Sequence, residues 1–60
     1  MGPAIETYTI TFYKNGEKLE EYEHVSDLKF WGSEVRVITP EGVSNSVIME
    51  DDMRFEAEKE

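Results

Sequence analysis

The residues of this chain that could do chemistry are a single histidine and an abundance of carboxylates. His24 lies beside Glu23 and near Glu21. A histidine titrating near neutral pH and oriented by a carboxylate is the usual start of a general acid–base site. Such a site also needs a second positioned group and a pocket, which a barrel of 60 residues seldom encloses. His24 is therefore expected at the rim of a sheet or partly buried in it. Glu50-Asp51-Asp52 offers oxygens to a hard cation, but it lacks the alternating ligands and the glycine of a calcium loop. An acidic, solvated turn is the expectation there. The chain has no cysteine, no glycine-rich phosphate loop, no His-x-x-x-His and no serine flanked by motif glycines. No catalytic, metal-binding or cofactor-binding residue is assigned, and an enzyme is not expected.

What remains is charge. Fourteen acidic side chains stand against 6 basic ones, a formal net charge of −8. Direct nucleic-acid binding is disfavoured, because phosphate contacts need clustered Lys and Arg. An anionic membrane would repel the same surface. Glu17, Glu20, Glu21 and Glu23 concentrate on one segment, Glu50 to Asp52 on another, and Glu56, Glu58 and Glu60 at the end of the chain. Such clusters keep a small β protein soluble and guard its edges, or they complement a basic partner. Among the aromatics, Trp31 is expected to close the core, or else, if exposed, to anchor a partner. Tyr13, sharing a face with Thr9 and Thr11, is expected to be exposed.

The candidate partner-binding residues are thus Glu17, Glu20, Glu21, Glu23, Tyr13, Trp31, Glu56 and Glu58. In size and charge the chain resembles the small acidic inhibitors of phages and mobile elements, including some anti-restriction and anti-CRISPR proteins. That resemblance rests on composition and implies a non-catalytic protein whose carboxylates stand where phosphates would lie, in the nucleic-acid-binding groove of a target. The alternative is a structural or accessory subunit, a homo-oligomer among the options, that assembles by strand-edge pairing and uses its charge only for solubility. No signal peptide and no apolar run of membrane-spanning length is visible, so a soluble, cytoplasmic protein is expected.

The elements that must position these residues are legible as alternation and turn chemistry. Tyr8, Ile10 and Phe12 fall on one face of a strand, and Thr7, Thr9, Thr11 and Tyr13 on the other. Asn15-Gly16 then marks a tight hairpin, because both residues accept positive φ. Uninterrupted pairing from that turn would match Phe12 with Leu19 but push Glu21 and Glu23 into the core. One extra residue near Glu20-Glu21 pairs Ile10 with Tyr22 and Tyr8 with His24, so a β-bulge is predicted there. From Val25 to Gly32 the alternation fails. Ser26 as a cap and Gly32 as a left-handed terminator predict a helical turn near residues 26–31. An extended Leu28–Phe30 with Trp31 on the opposite side is the alternative.

Glu34–Thr39 reads as a strand, turned by Pro40-Glu41-Gly42 into Val43–Met49. Pairing Thr39 with Val43 and Val35 with Val47 puts Val35, Val37, Val43, Val47 and Met49 on one face. The segment Met53–Glu58 suits strand or helix by composition. Register favours a strand, through a loop at Glu50–Asp52 that pairs Met49 with Met53 and Val47 with Phe55. The expected fold is all-β, a five-stranded antiparallel meander rolled into a small sheet or an SH3-like or Sm-like barrel. That comparison is one of topology alone. Residues 1–5 are expected to form a flexible N-terminal segment and 6–60 a single small β domain.

Overall fold

Asn15 and Gly16 turn the chain with φ of 52° and 79°, the left-handed values that a tight hairpin demands. The computed structural model describes residues 5–60, so all but Ile5 of the expected flexible segment 1–5 lies outside the described residues. The hairpin joins strand β1 (Tyr8–Lys14) to β2 (Glu17–Val25), followed by β3 (Asp27–Trp31), β4 (Glu34–Ile38), β5 (Ser44–Ile48) and β6 (Met53–Lys59). The described residues are all-β, in two antiparallel three-stranded sheets ordered β2-β1-β6 and β3-β4-β5.

The bulge in β2 is real but sits earlier than the carboxylates suggest. Lys14 pairs with Glu17, Tyr13 with Lys18 and Phe12 with Glu20, so Leu19 is the extra residue. Ile10 meets Tyr22 as expected, but Tyr8 meets Val25 rather than His24. A second irregularity sets Glu23 and His24 opposite Thr9, with His24 at φ 60°. Its physical reason is Val25, which is 2 % exposed. The extra residue restores inward parity just where the sheet needs its last apolar side chain.

No helical turn forms at residues 26–31. Asp27–Trp31 is extended and pairs along its whole length with β4, Leu28 opposite Val37 and Phe30 opposite Val35. One helical turn would supply few internal hydrogen bonds, whereas the strand gains a complete ladder against valines that need covering. Ser26 acts as a hinge rather than a cap, with its N–H donating to the Ile38 carbonyl at 2.8 Å. Gly32 is left-handed as expected, at φ 62°, but within the tight Gly32-Ser33 turn between β3 and β4. The described residues therefore form six strands, with β2 and β3 nearly continuous through Ser26 and serving one sheet each.

The Thr39–Val43 closure and the Val35–Val47 pair form as expected. Val43 shares that parity but lies at the end of the ladder and is exposed. The tail is a strand, yet it does not pair with β5. It runs along the second edge of β1, Phe55 opposite Phe12 and Lys59 opposite Tyr8. The meander is thus broken between the two sheets. A seven-residue strand finds a full-length partner in β1 that the shorter β5 cannot offer. Phe55 still points inward, its ring 5.7 Å from Phe12 and 6.0 Å from Phe30. The core between the sheets is Ile10, Phe12, Val25, Val35, Val37 and Val47, with Tyr8, Tyr22, Leu28, Met49, Met53 and Phe55 packed around it.

Candidate functional site: the acidic face of the β2-β1-β6 sheet

Side chains alternate across a strand, so the inward set Ile10 and Phe12 fixes Thr9, Thr11 and Tyr13 on the outer face of β1. Register then decides what flanks them. Thr11 lies between Glu21 of β2 and Glu56 of β6, and Thr9 is opposite Glu58. Thr9, Thr11, Tyr13, Glu21, Glu56 and Glu58 line one shallow polar groove. A column of short hydroxyls bounded by carboxylates on both sides follows from placing the last strand beside the first. Neither strand shows it alone.

Cations gather at the Tyr13 end of this face. The Arg54 guanidinium lies 4.2 Å from the Tyr13 ring centre and pairs with Glu56, and Lys18 pairs with Glu21. Glu21, by hydrogen bond and by charge, raises the Lys18 ammonium above its ordinary value, with a smaller contribution from Glu23. Glu23 and Glu58 have no ion-pair partner among the described residues. The face therefore grades from charge-paired at Tyr13 to net anionic beyond Thr11.

Of the eight candidate residues, the groove brings together Tyr13, Glu21, Glu56 and Glu58. The others are elsewhere. Glu17 ends the hairpin opposite Lys14. Glu20 opposes Phe12 and so leaves β2 on the inner side, where it accepts a hydrogen bond from the Tyr22 hydroxyl at 3.1 Å. Burial first, and then Glu20, raises the Tyr22 phenol above its ordinary value. Glu23 follows the inward Tyr22 and enters the bulge. Trp31 is 84 % exposed on the other sheet, which overturns the expectation that it closes the core. Its parity is the cause, since Leu28 packs on the core and Phe30, though 61 % exposed, shares that side of β3 opposite Val35 and beside Phe55.

Sequence reasoning missed the contacts of Glu60. Its carboxylate accepts from Thr7 Oγ1 at 2.7 Å, Thr9 Oγ1 at 2.9 Å and the backbone N–H of His24 at 3.1 Å. Those three donors, the Thr7 hydroxyl foremost, hold it below the usual carboxylate range. The matching period-two runs Thr7-Thr9-Thr11 and Glu56-Glu58-Glu60 are the signal that, with β1 beside β6, would have revealed it. His24 does not face Glu21 or Glu23. Its Nε2 lies 3.2 Å from Glu41 of the β4–β5 loop, and that contact is the main reason the Glu41 carboxyl is lowered. The imidazole is about half exposed, at 54 %. Among the described residues no group of three or more acidic or histidine side chains is placed to hold a metal ion. No helix among them is long and apolar enough to cross a membrane.

No family model, no curated protein and no solved structure matches the chain.

Proposed function

We propose that this protein is a small, non-catalytic protein-binding module that presents the outer face of β2-β1-β6 to a basic partner surface. The observation that carries this reading is the convergence of Glu21, Glu56 and Glu58 around Thr9 and Thr11 on one solvent-facing groove. On this reading the protein is an inhibitor of phage or mobile-element type. Its carboxylates occupy the phosphate positions of a cytoplasmic target's nucleic-acid-binding surface. Sheet twist presents the two carboxylate rows at an angle to each other, and the threonine column between them offers hydrogen bonds without adding charge. The finer fold belongs to the same reading. Five ribbons, the second bent at Ser26 and shared between sheets, form a small SH3-like or Sm-like barrel.

Electrostatic docking of this kind has a salt signature. Captured partners should be basic nucleic-acid-binding proteins, released as salt rises from about 0.1 M to about 1 M and the Debye length falls from about 10 Å to about 3 Å. Reversing Glu21, Glu56 and Glu58 to Lys together should abolish capture while the far-ultraviolet β signature persists. Partners that are not basic, or that remain bound at high salt or to the reversed variant, would overturn the reading.

A further inference from the structure

The four sheet edges are not treated alike. The β2 edge carries Glu17, Lys18, Glu20, Glu21 and Glu23 and is broken by two bulges. The β6 edge carries Arg54, Glu56, Glu58 and Lys59, and the β3 edge carries Asp27 and Lys29. Such charges and kinks are how proteins stop an open edge from recruiting another strand. The fourth edge has none. Strand β5 reads Ser44-Asn45-Ser46-Val47-Ile48, without a charge, a proline or a register shift, in a chain that is 33 % charged.

Its hydrogen bonding fixes which groups are free. Thr39 N–H donates to the Val43 carbonyl at 2.9 Å, and Met49 N–H to the Ser33 carbonyl at 2.7 Å. Bonded pairs alternate in an antiparallel ladder, so Val43, Asn45, Val47 and Met49 bond toward β4. Ser44, Ser46 and Ile48 therefore direct their N–H and C=O groups outward. Ile48 is also 60 % exposed.

We propose that β5 is a homodimerisation edge, pairing antiparallel with β5 of a second copy about a two-fold axis at Ser46. In this register Ser46 meets its own equivalent, Ser44 meets Ile48 of the other copy, and Asn45 meets Val47. Each outward-facing residue meets an outward-facing partner, and no charge opposes a charge. The result is a six-stranded sheet with the isologous symmetry usual for small dimers. A second copy is favoured over a foreign strand because β5 carries no charge with which to select one, whereas self-pairing supplies its own matching register. The other three edges would place their charged side chains against this neutral strand. One short strand pair buries less than the roughly 1,200 Å² of a stable specific interface, so the dimer is weak and concentration-dependent. The acidic faces lie on the other sheet and stay open in it, so the inference stands independently of the proposed function.

Sedimentation equilibrium from about 10 μM to about 1 mM tests it, the range in which a weak association becomes visible. The wild-type mass should rise from monomer toward dimer. The Ser46→Pro variant should remain monomeric, since it removes an outward donor and leaves the bonds to β4 in place. Ser46→Glu provides the second variant. It gives up the serine's hydrogen bond to Glu34 but gains Arg36 across the β4–β5 pair, and it opposes its own equivalent across the two-fold axis, so the fold should persist and the dimer should not. Trp31→Ala should dimerise as the wild type does. A wild type that stays monomeric throughout, dimers that survive in either folded Ser46 variant, or dimers lost in Trp31→Ala would each overturn the proposal.

Discussion

The two sheets pack against one core but are built to opposite specifications. The β2-β1-β6 sheet is irregular: two bulges bend it, and four of the six cations sit on it or at its margins, each paired with a carboxylate. The β3-β4-β5 sheet runs in unbroken register and leaves Phe30, Trp31 and Ile48 largely in solvent. Its β3–β4 pair even sets Lys29 directly opposite Arg36, a like-charge juxtaposition that costs stability. Irregularity belongs to β2 and not to charge as such, since β6 carries four charges and pairs with β1 without a register shift. A strand as acidic as β2 keeps Tyr22 and Val25 inward only by inserting residues, whereas the valine-rich β4 alternates without help. The regular sheet is also the one with an unprotected edge.

The largest expected effect separates the aromatics of the two sheets. Phe12 is fully buried, with Tyr22 edge-on at 5.9 Å and Phe55 at 5.7 Å. Phe12→Ala should cost about 3–5 kcal/mol, comparable to the whole stability of a domain this small. The variant should show no cooperative urea transition. Trp31→Ala, at the most exposed aromatic, should shift the transition by no more than about 0.5 kcal/mol. A large loss at Trp31 would mean that the second sheet's outer face supports the fold, and the contrast between the sheets would collapse.

A smaller effect tests whether the second bulge is required. His24 holds φ 60°, which histidine tolerates better than most residues and a β-branched side chain tolerates badly. His24→Val should therefore lose about 1–2 kcal/mol despite its higher β propensity. His24→Gly should remain within about 1 kcal/mol of wild type, because relief of the left-handed strain offsets the added chain entropy. If valine were tolerated as well as glycine in denaturant titrations, the bulge would not be what keeps Val25 inward.

How much of this was legible in the sequence depends on the range of the interaction concerned. The Asn15-Gly16 turn, the alternation of β1, the Pro40–Gly42 loop and the Ile10–Tyr22 pair follow from local chemistry, and the sequence expectations match them. A register that keeps Glu21 and Glu23 out of the core locates the first bulge to within a residue or two, at Leu19 rather than Glu20-Glu21. Two features depend on partners distant in sequence. Asp27–Trp31 has good helix punctuation in Ser26 and Gly32, and only the full-length ladder to β4, opposite the buried Val35 and Val37, makes it a strand. Met53–Lys59 has the right parity for β5 and for β1 alike, and the length of the available ladder decides between them. The acidic groove depends on that second choice. Glu21, Glu56 and Glu58 are legible as candidates, and a rolled sheet that makes neighbours of the first and last strands brings their clusters together, but the convergence itself rests on β6 lying beside β1.

The smallest effect concerns the Glu60 contacts, which tie the irregular sheet together where β6 ends. The carboxylate is lowered by the Thr7 and Thr9 hydroxyls and the His24 N–H, so the folded protein binds its proton less readily than the unfolded chain does. A group depressed in this way contributes stability above its unfolded value, near 4.5, and loses it as pH falls through the folded value. Glu41 and Glu34 share the sign, lowered by His24 in the first case and by Ser46 and then Arg36 in the second. Acid below pH about 4.5 should therefore weaken these contacts, even while it relieves the repulsion that a net charge of −8 imposes. Glu60→Gln isolates one contribution. Its urea midpoint should lie below that of wild type at pH 7 and converge with it as pH falls, because only the wild type has that contribution to lose. Two curves that stay parallel from pH 7 to about pH 3 would show that the carboxylate charge plays no part, and that β6 is held by its backbone ladder to β1 alone.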